Sequence, residues 1–236
     1  MEEILPDGCC ANALTHNYMA RFSSADALST VLQFPIVPVF YHADVAYAKR
    51  IVQACYAGGL RVFEFTNRGD KAFDVFSELQ SFVAEQCPEM LLGIGTIYKA
   101  EDAERFIAAG ADFVVQPVAT SEVAAVCKQH NIPWMPGTMT PTEIYNATQL
   151  GAAVVKIFPG NMVGPSYIKA LRGPMPDVTL MVTGGVEPTN ESLADWFGAG
   201  VNAVGMGSQL FKNADDTEAL SASIAKLLQF VNTLKK

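Results

Sequence analysis

RVFEFTNRGDKAFDVFSELQSFVAEQ, residues 61–86, contains in one stretch the unit from which the rest of the chain is built. Its first six residues are rich in β-formers. Strand alternation puts Val62, Glu64 and Thr66 on one face and Phe63 and Phe65 on the other. The remainder, from Asp70, carries apolar residues at helical spacing. The same pairing recurs in both directions from here. Short apolar runs stand at 35–41 (PIVPVFY), 90–96 (MLLGIGT), 112–117 (DFVVQP), 133–138 (PWMPGT), 153–159 (AVVKIFP), 178–185 (VTLMVTGG) and 202–208 (NAVGMGS). Amphipathic segments lie between them, several ending in glycine, as at Gly110, Gly151 and Gly200, a common helix stop.

Strand–helix alternation implies parallel strands joined by helical crossovers. Eight units, with strand starts roughly every two dozen residues, favour a closed (β/α)₈ TIM barrel over an open doubly wound sheet, which is the competing architecture. The whole chain, 1–236, reads as one domain, with residues 1–33 as an N-terminal extension and an extra helix capping the barrel's bottom. TEALSASIAKLLQFVNTLKK at the C-terminus reads as the last outer helix.

Half the residues are apolar and 17% are charged, enough for a large core. The net charge of -8 argues against a nucleic-acid partner, which would need clustered Lys and Arg, but leaves room for a small anionic ligand held locally. The five cysteines have no ligand-like spacing and suit packing in a reducing compartment. The acidic start MEEILPDGCC lacks the basic end and apolar run of a signal peptide, and no apolar stretch approaches a membrane span. A cytoplasmic protein without a membrane partner is expected. His16, His42 and His130 lie apart in sequence with no metal-binding pattern, so neither a metal nor a cofactor is expected.

Function should lie where polar residues interrupt barrel strands or follow them, because barrel sites form at the strands' C-terminal ends. Lys156 sits inside AVVKIFP, where burial disfavours its charged form and leaves an amine nucleophile suited to imine chemistry. The alternative is a structural lysine paired with a carboxylate. Glu64 shares the face opposite Phe63 and Phe65, whose bulk should meet the helices, so it turns into the lumen. The second and sixth runs lie across an eight-stranded barrel from each other, which brings Glu64 and Lys156 within reach of proton exchange. A purely structural ion pair there would stabilise little for its desolvation cost. Arg68 could grip a carboxylate or simply sit in solvent, and Thr96 ends the third run beside Gly93 and Gly95. TGG (183–185) and GMGS (205–208) follow the last two strands, where glycine-rich turns can aim N–H groups at a phosphate.

Taken together, PIVPVF, Glu64-Phe65-Thr66-Asn67-Arg68, GIGT (93–96), Pro136-Gly137, KIFP (156–159), TGG and the final GS resemble the 2-dehydro-3-deoxy-6-phosphogluconate (KDPG) and 4-hydroxy-2-oxoglutarate (KHG) aldolases over roughly residues 24–230. The resemblance implies a class I aldolase acting on a phosphorylated 2-keto-3-deoxy sugar acid, with Lys156 as the Schiff-base lysine and Glu64 as general acid/base. It also implies that Arg68 and Thr96 hold the pyruvyl carboxylate, with Pro117 lining the pocket and Phe158 beside the imine. Thr183 is placed near the substrate hydroxyls, and Gly184, Gly185, Gly207 and Ser208 in a phosphate cradle. A homotrimer is implied as well. Thr183 favours the gluconate over the galactonate series. Gln116 stands where a smaller residue is usual and Asn67 where an apolar one is, both placed by the sequence at the pocket mouth or phosphate side. The remaining alternatives are a barrel phosphosugar epimerase or isomerase and a silent sugar-phosphate binding protein.

Overall fold

The structure, a computed structural model, describes residues 21–234. It opens with helix α1 (Ser24–Gln33), whose N-terminus is capped by the Ser23 hydroxyl accepting from the Asp26 N–H at 3.1 Å. There follow β1 (Ile36–Phe40), α2 (Val45–Ala57), β2 (Val62–Thr66), α3 (Ala72–Gln86), β3 (Leu91–Gly95), α4 (Ala100–Ala108), β4 (Val114–Val115) and α5 (Ser121–Gln129). The second half runs β5 (Trp134–Met135), β6 (Gly137–Thr138), α6 (Pro141–Gln149), β7 (Val155–Ile157), α7 (Gly164–Leu171), β8 (Leu180–Thr183), α8 (Asn190–Ala199), β9 (Ala203–Met206) and α9 (Thr217–Leu234).

All strand pairs are parallel, in the order β5-β4-β3-β2-β1-β9-β8-β7-β6. The fifth apolar run supplies both ends of this order. Pro136 has no N–H to donate, so PWMPGT is split into β5, which pairs with β4, and β6, which pairs with β7. The Pro136 carbonyl still accepts from the Lys156 N–H at 2.8 Å, so the break is local and the sheet ends meet at this residue. A (β/α)₈-type barrel results, with nine strand segments where the sequence suggested eight runs.

Two apolar cores follow from the period-two pleat. Phe63, Phe65, Ile94, Val114 and Ile157 point outward and pack on the inner faces of the helices. Val37, Val62, Leu91, Phe113, Met135 and Met181 point inward and fill the lower lumen, where Ala27 and Val31 of α1 join them. Thus α1 plugs the bottom of the barrel. Residues 1–20 of the expected extension lie outside the described residues. Cys55, Cys87 and Cys127 are buried and free, and burial raises the Cys127 thiol to about 12, so they act as packing groups. Among the described residues no helix is long and apolar enough to cross a membrane.

Candidate active site

Above the apolar plug the lumen turns polar. Glu64 and Lys156 project into it from β2 and β7, the second and sixth runs of the sequence, and Lys156 Nζ lies 3.9 Å from Glu64 Oε1. The two side chains are 1% and 6% exposed, so their charges are almost wholly removed from water. Burial drives the Lys156 amine below its ordinary value; the Glu64 carboxylate opposes this, and the Arg68 charge adds to it. Burial likewise pushes the Glu64 carboxyl up, with Lys156 and then Arg68 pulling it back. Each group is moved toward the other, which eases the exchange of a proton between them. Glu64 Oε2 has no hydrogen-bond partner despite its burial, and such an orphan needs an explanation.

Glycines make room for this pair. A Cβ on Gly95 would overlap Glu64 Oε1, so the bare backbone of β3 is what lets the carboxylate lie flat against it. A Cβ on Gly137 would overlap the Pro117 carbonyl, so β6 also needs glycine where the end of the fourth run passes it. Lys156 Nζ stands 5.1 Å from the centre of the Phe158 ring, which roofs the amine with an apolar face.

Thr96 follows β3 with φ of 62°, a left-handed conformation costly for a threonine by about 1–3 kcal/mol. It is half-buried, while Arg68 is exposed at the end of β2 and reaches the pair through its charge. Thr183 ends β8 and is buried. Its hydroxyl has no partner, and a Cβ on Gly205 would overlap that oxygen.

The glycine turns expected to hold phosphate come together. Gly184, Gly185, Gly207 and Ser208 line one cavity of about 320 Å³, along with Gly205 and Asn161. Gly184 and Gly185 have φ of 92° and 75°, successive positive values that glycine adopts freely and other residues rarely do. A Cβ on Gly185 would come within 2.7 Å of Asn161 Cβ, so glycine is required for this packing. Gly207 differs, since a Cβ there would meet nothing within 4 Å and would project into open space.

Asn161 was missed by sequence reasoning. Its signal was weak: one polar residue just beyond Phe158-Pro159, a cis peptide bond. Gln116 corrects an expectation. It is fully buried and hydrogen-bonded to Ile97, Thr120 and Trp134, turned toward the helix layer and away from the pocket mouth. His42 accepts from the Asp44 N–H at 3.0 Å in a local turn. Among the described residues no group of three or more His, Cys, Asp or Glu could hold a metal ion.

The model of the KDPG and KHG aldolase family matches residues 28–226. The chain belongs to that family. It is an aldolase, a carbon–carbon lyase. A 2-dehydro-3-deoxy-phosphogluconate aldolase from Pseudoalteromonas atlantica is 35% identical over 75% of this aldolase and 79% of its own length. A 2-dehydro-3-deoxy-6-phosphogalactonate aldolase from Escherichia coli is 35% identical over 59% of this aldolase and 67% of its own length. Among solved structures, a KDPG aldolase from Legionella pneumophila, with pyruvate captured at low pH as a covalent carbinolamine intermediate, superposes with a TM-score of 0.73. Its identity is 25%, covering 86% of this aldolase and 97% of that chain.

Proposed function

We propose that this aldolase cleaves 2-dehydro-3-deoxy-6-phosphogluconate to pyruvate and glyceraldehyde 3-phosphate through a Schiff base on Lys156. The observation that carries the reading is the buried Lys156–Glu64 pair, its two groups shifted toward a common pH. The neutral Lys156 amine attacks the C2 ketone, and Glu64 relays the protons that turn the carbinolamine into water and a protonated imine. Glu64 then takes the proton of the C4 hydroxyl. The C3–C4 bonding electrons move into the imine, forming an enamine as the aldehyde leaves. Protonation at C3 and hydrolysis release pyruvate and free Lys156. The carbinolamine in the Legionella pneumophila relative supports covalent chemistry on pyruvate in this family.

Arg68 and Thr96 hold the carboxylate, Pro117 and Phe158 line the pocket, and Thr183 meets the substrate hydroxyls through its orphan oxygen. Gly184, Gly185, Gly207 and Ser208 hold the phosphate. Among the described residues no Lys, Arg or His lines that cavity and Glu187 is the charged side chain at its wall, so the phosphate is held by backbone N–H groups and the neutral side chains. The enzyme works in the cytoplasm as a homotrimer; light scattering should give three times the 25.4 kDa chain mass, and a monomer mass would contradict it.

A panel of phosphorylated and unphosphorylated 2-keto-3-deoxy acids of both C4 configurations, assayed by pyruvate release, tests the substrate. The gluconate-series phosphate should have the highest kcat/KM, and preference for the galactonate series would overturn that part of the proposal. Gly207→Ala tests the phosphate site without disturbing the fold, because its methyl enters open space. Alanine keeps the N–H, but its methyl takes up space the phosphate needs and pushes the anion off the backbone donors. That should raise KM for the phosphorylated substrate roughly 10- to 100-fold, as for about 1.5–3 kcal/mol of charge-assisted hydrogen bonding. KM for 4-hydroxy-2-oxoglutarate should barely move. An equal change in both values would remove phosphate from this cavity.

A further inference from the structure

We infer that Gln116 is a positioning residue for the substrate carboxylate, acting by fixing the loop that carries Thr96. The inference rests on the reading of Thr96 as a carboxylate ligand. Gln116 is fully buried after β4 and makes three side-chain hydrogen bonds. Its Oε1 accepts from Trp134 Nε1 at 2.7 Å. Its Nε2 donates to the Ile97 carbonyl at 3.2 Å and to Thr120 Oγ1 at 3.1 Å. The orientation of the carboxamide is fixed by chemistry, because an indole N–H can only donate and so selects the oxygen. The NH₂ group is thereby aimed at Ile97, the residue directly after the strained Thr96.

A threonine holds a left-handed φ only when its surroundings over-determine it. On its N-terminal side this loop is anchored by the Gly95 carbonyl, which accepts from Asn67 N–H at 2.8 Å. On its C-terminal side the Ile97 N–H reaches the Val115 carbonyl only at 3.4 Å, a long contact. The Gln116 carboxamide is the stronger hold on that side. Remove it, and Ile97 keeps only that long contact on its N–H while its carbonyl is released, so Thr96 can relax toward a right-handed conformation that turns its hydroxyl from the place where the carboxylate must sit. A hydrophobic residue at this position would fill the volume but leave the Ile97 carbonyl and the Trp134 N–H unpaired.

The test is a double-mutant cycle read by pyruvate binding. Full-length wild type, Gln116→Leu, Thr96→Ala and the double variant are titrated with pyruvate in the presence of borohydride, and the rate of covalent trapping is fitted for half-saturation and limiting rate. Gln116→Leu and Thr96→Ala should each raise the half-saturating pyruvate concentration about tenfold, with limiting rates within about twofold of wild type. The double variant should be no worse than Thr96→Ala alone, because both changes remove the same contact. A purely structural role predicts additive losses or a falling limiting rate, and either overturns the inference. Should Thr96→Ala bind pyruvate normally, the carboxylate reading fails and the inference with it. If Thr96→Ala is weakened while Gln116→Leu is not, the inference alone fails. Should Gln116→Leu not fold, Trp134→Phe removes only the donor that orients the carboxamide. It should raise half-saturation in the same direction by a smaller factor, and an unchanged value overturns the inference.

Discussion

Lys156→Met should abolish borohydride-trapped pyruvate on the protein and cut the rate of retro-aldol cleavage by about 10⁴-fold or more, the scale on which a lost covalent nucleophile acts. Wild type, treated in parallel and digested, should show the reduced pyruvyl adduct on the peptide containing Lys156. The variant should fold at least as well as wild type. A lysine whose amine is held below its ordinary value of 10.5 binds its proton more tightly unfolded than folded. It therefore costs stability at every pH below 10.5, and the cost vanishes only as pH rises past that value. Replacing it by an apolar side chain of similar length removes that cost at neutral pH, and Glu64, already raised by burial, can stay protonated. An adduct at another residue would move the Schiff base off Lys156, and a Lys156→Met variant that still cleaves substrate would sink the Schiff-base mechanism at that lysine.

Glu64→Gln should lower kcat about 10²- to 10⁴-fold, the usual range for a general acid/base, while the melting temperature holds. Its pH profile carries a sharper signature. The neutral amine of Lys156 is lost as pH falls through its folded value, which gives the rate an acid limb below 10.5. The Glu64 charge raises that value, so removing it should move the limb to lower pH. A limb that moves up, or a kcat unchanged by the substitution, would take Glu64 out of proton transfer. The stability side has the opposite sense from an ordinary carboxylate. Because the folded Glu64 lies above 4.5, it costs nothing below that pH, and stability is lost as pH rises from 4.5 through the folded value. Glutamine should therefore match or exceed wild-type stability at neutral pH and match it in acid.

Much of the site was legible because a strand's side chains alternate with a fixed period. Phe63 and Phe65 pack against the helices, which sends Glu64 inward. Lys156 was conspicuous as a charge within an apolar run, and the glycine turns after the last two strands stand where the barrel leaves space for an anion. Gln116 shows where that logic stops. Phe113, Val114 and Val115 are all apolar, so the pattern has no contrast and does not say which residue faces in. The structure puts Phe113 and Val115 in the lumen, and Gln116 consequently faces out.

From sequence alone, the repeating strand–helix unit determined the barrel, and the charges inside two strands determined which side chains would meet in it. Both follow from local rules, the pleat of a strand and the cost of burying a charge. Tertiary structure decided the split of the fifth strand at Pro136, the left-handed turn at Thr96, the seat of Gln116 and the wall that Asn161 adds to the cavity between the glycine turns. Proline can break a ladder by itself. Which neighbour each half of the fifth run joins, like the other three features, is set by contacts between segments far apart in the chain, which acquire a fixed geometry only when the barrel has closed.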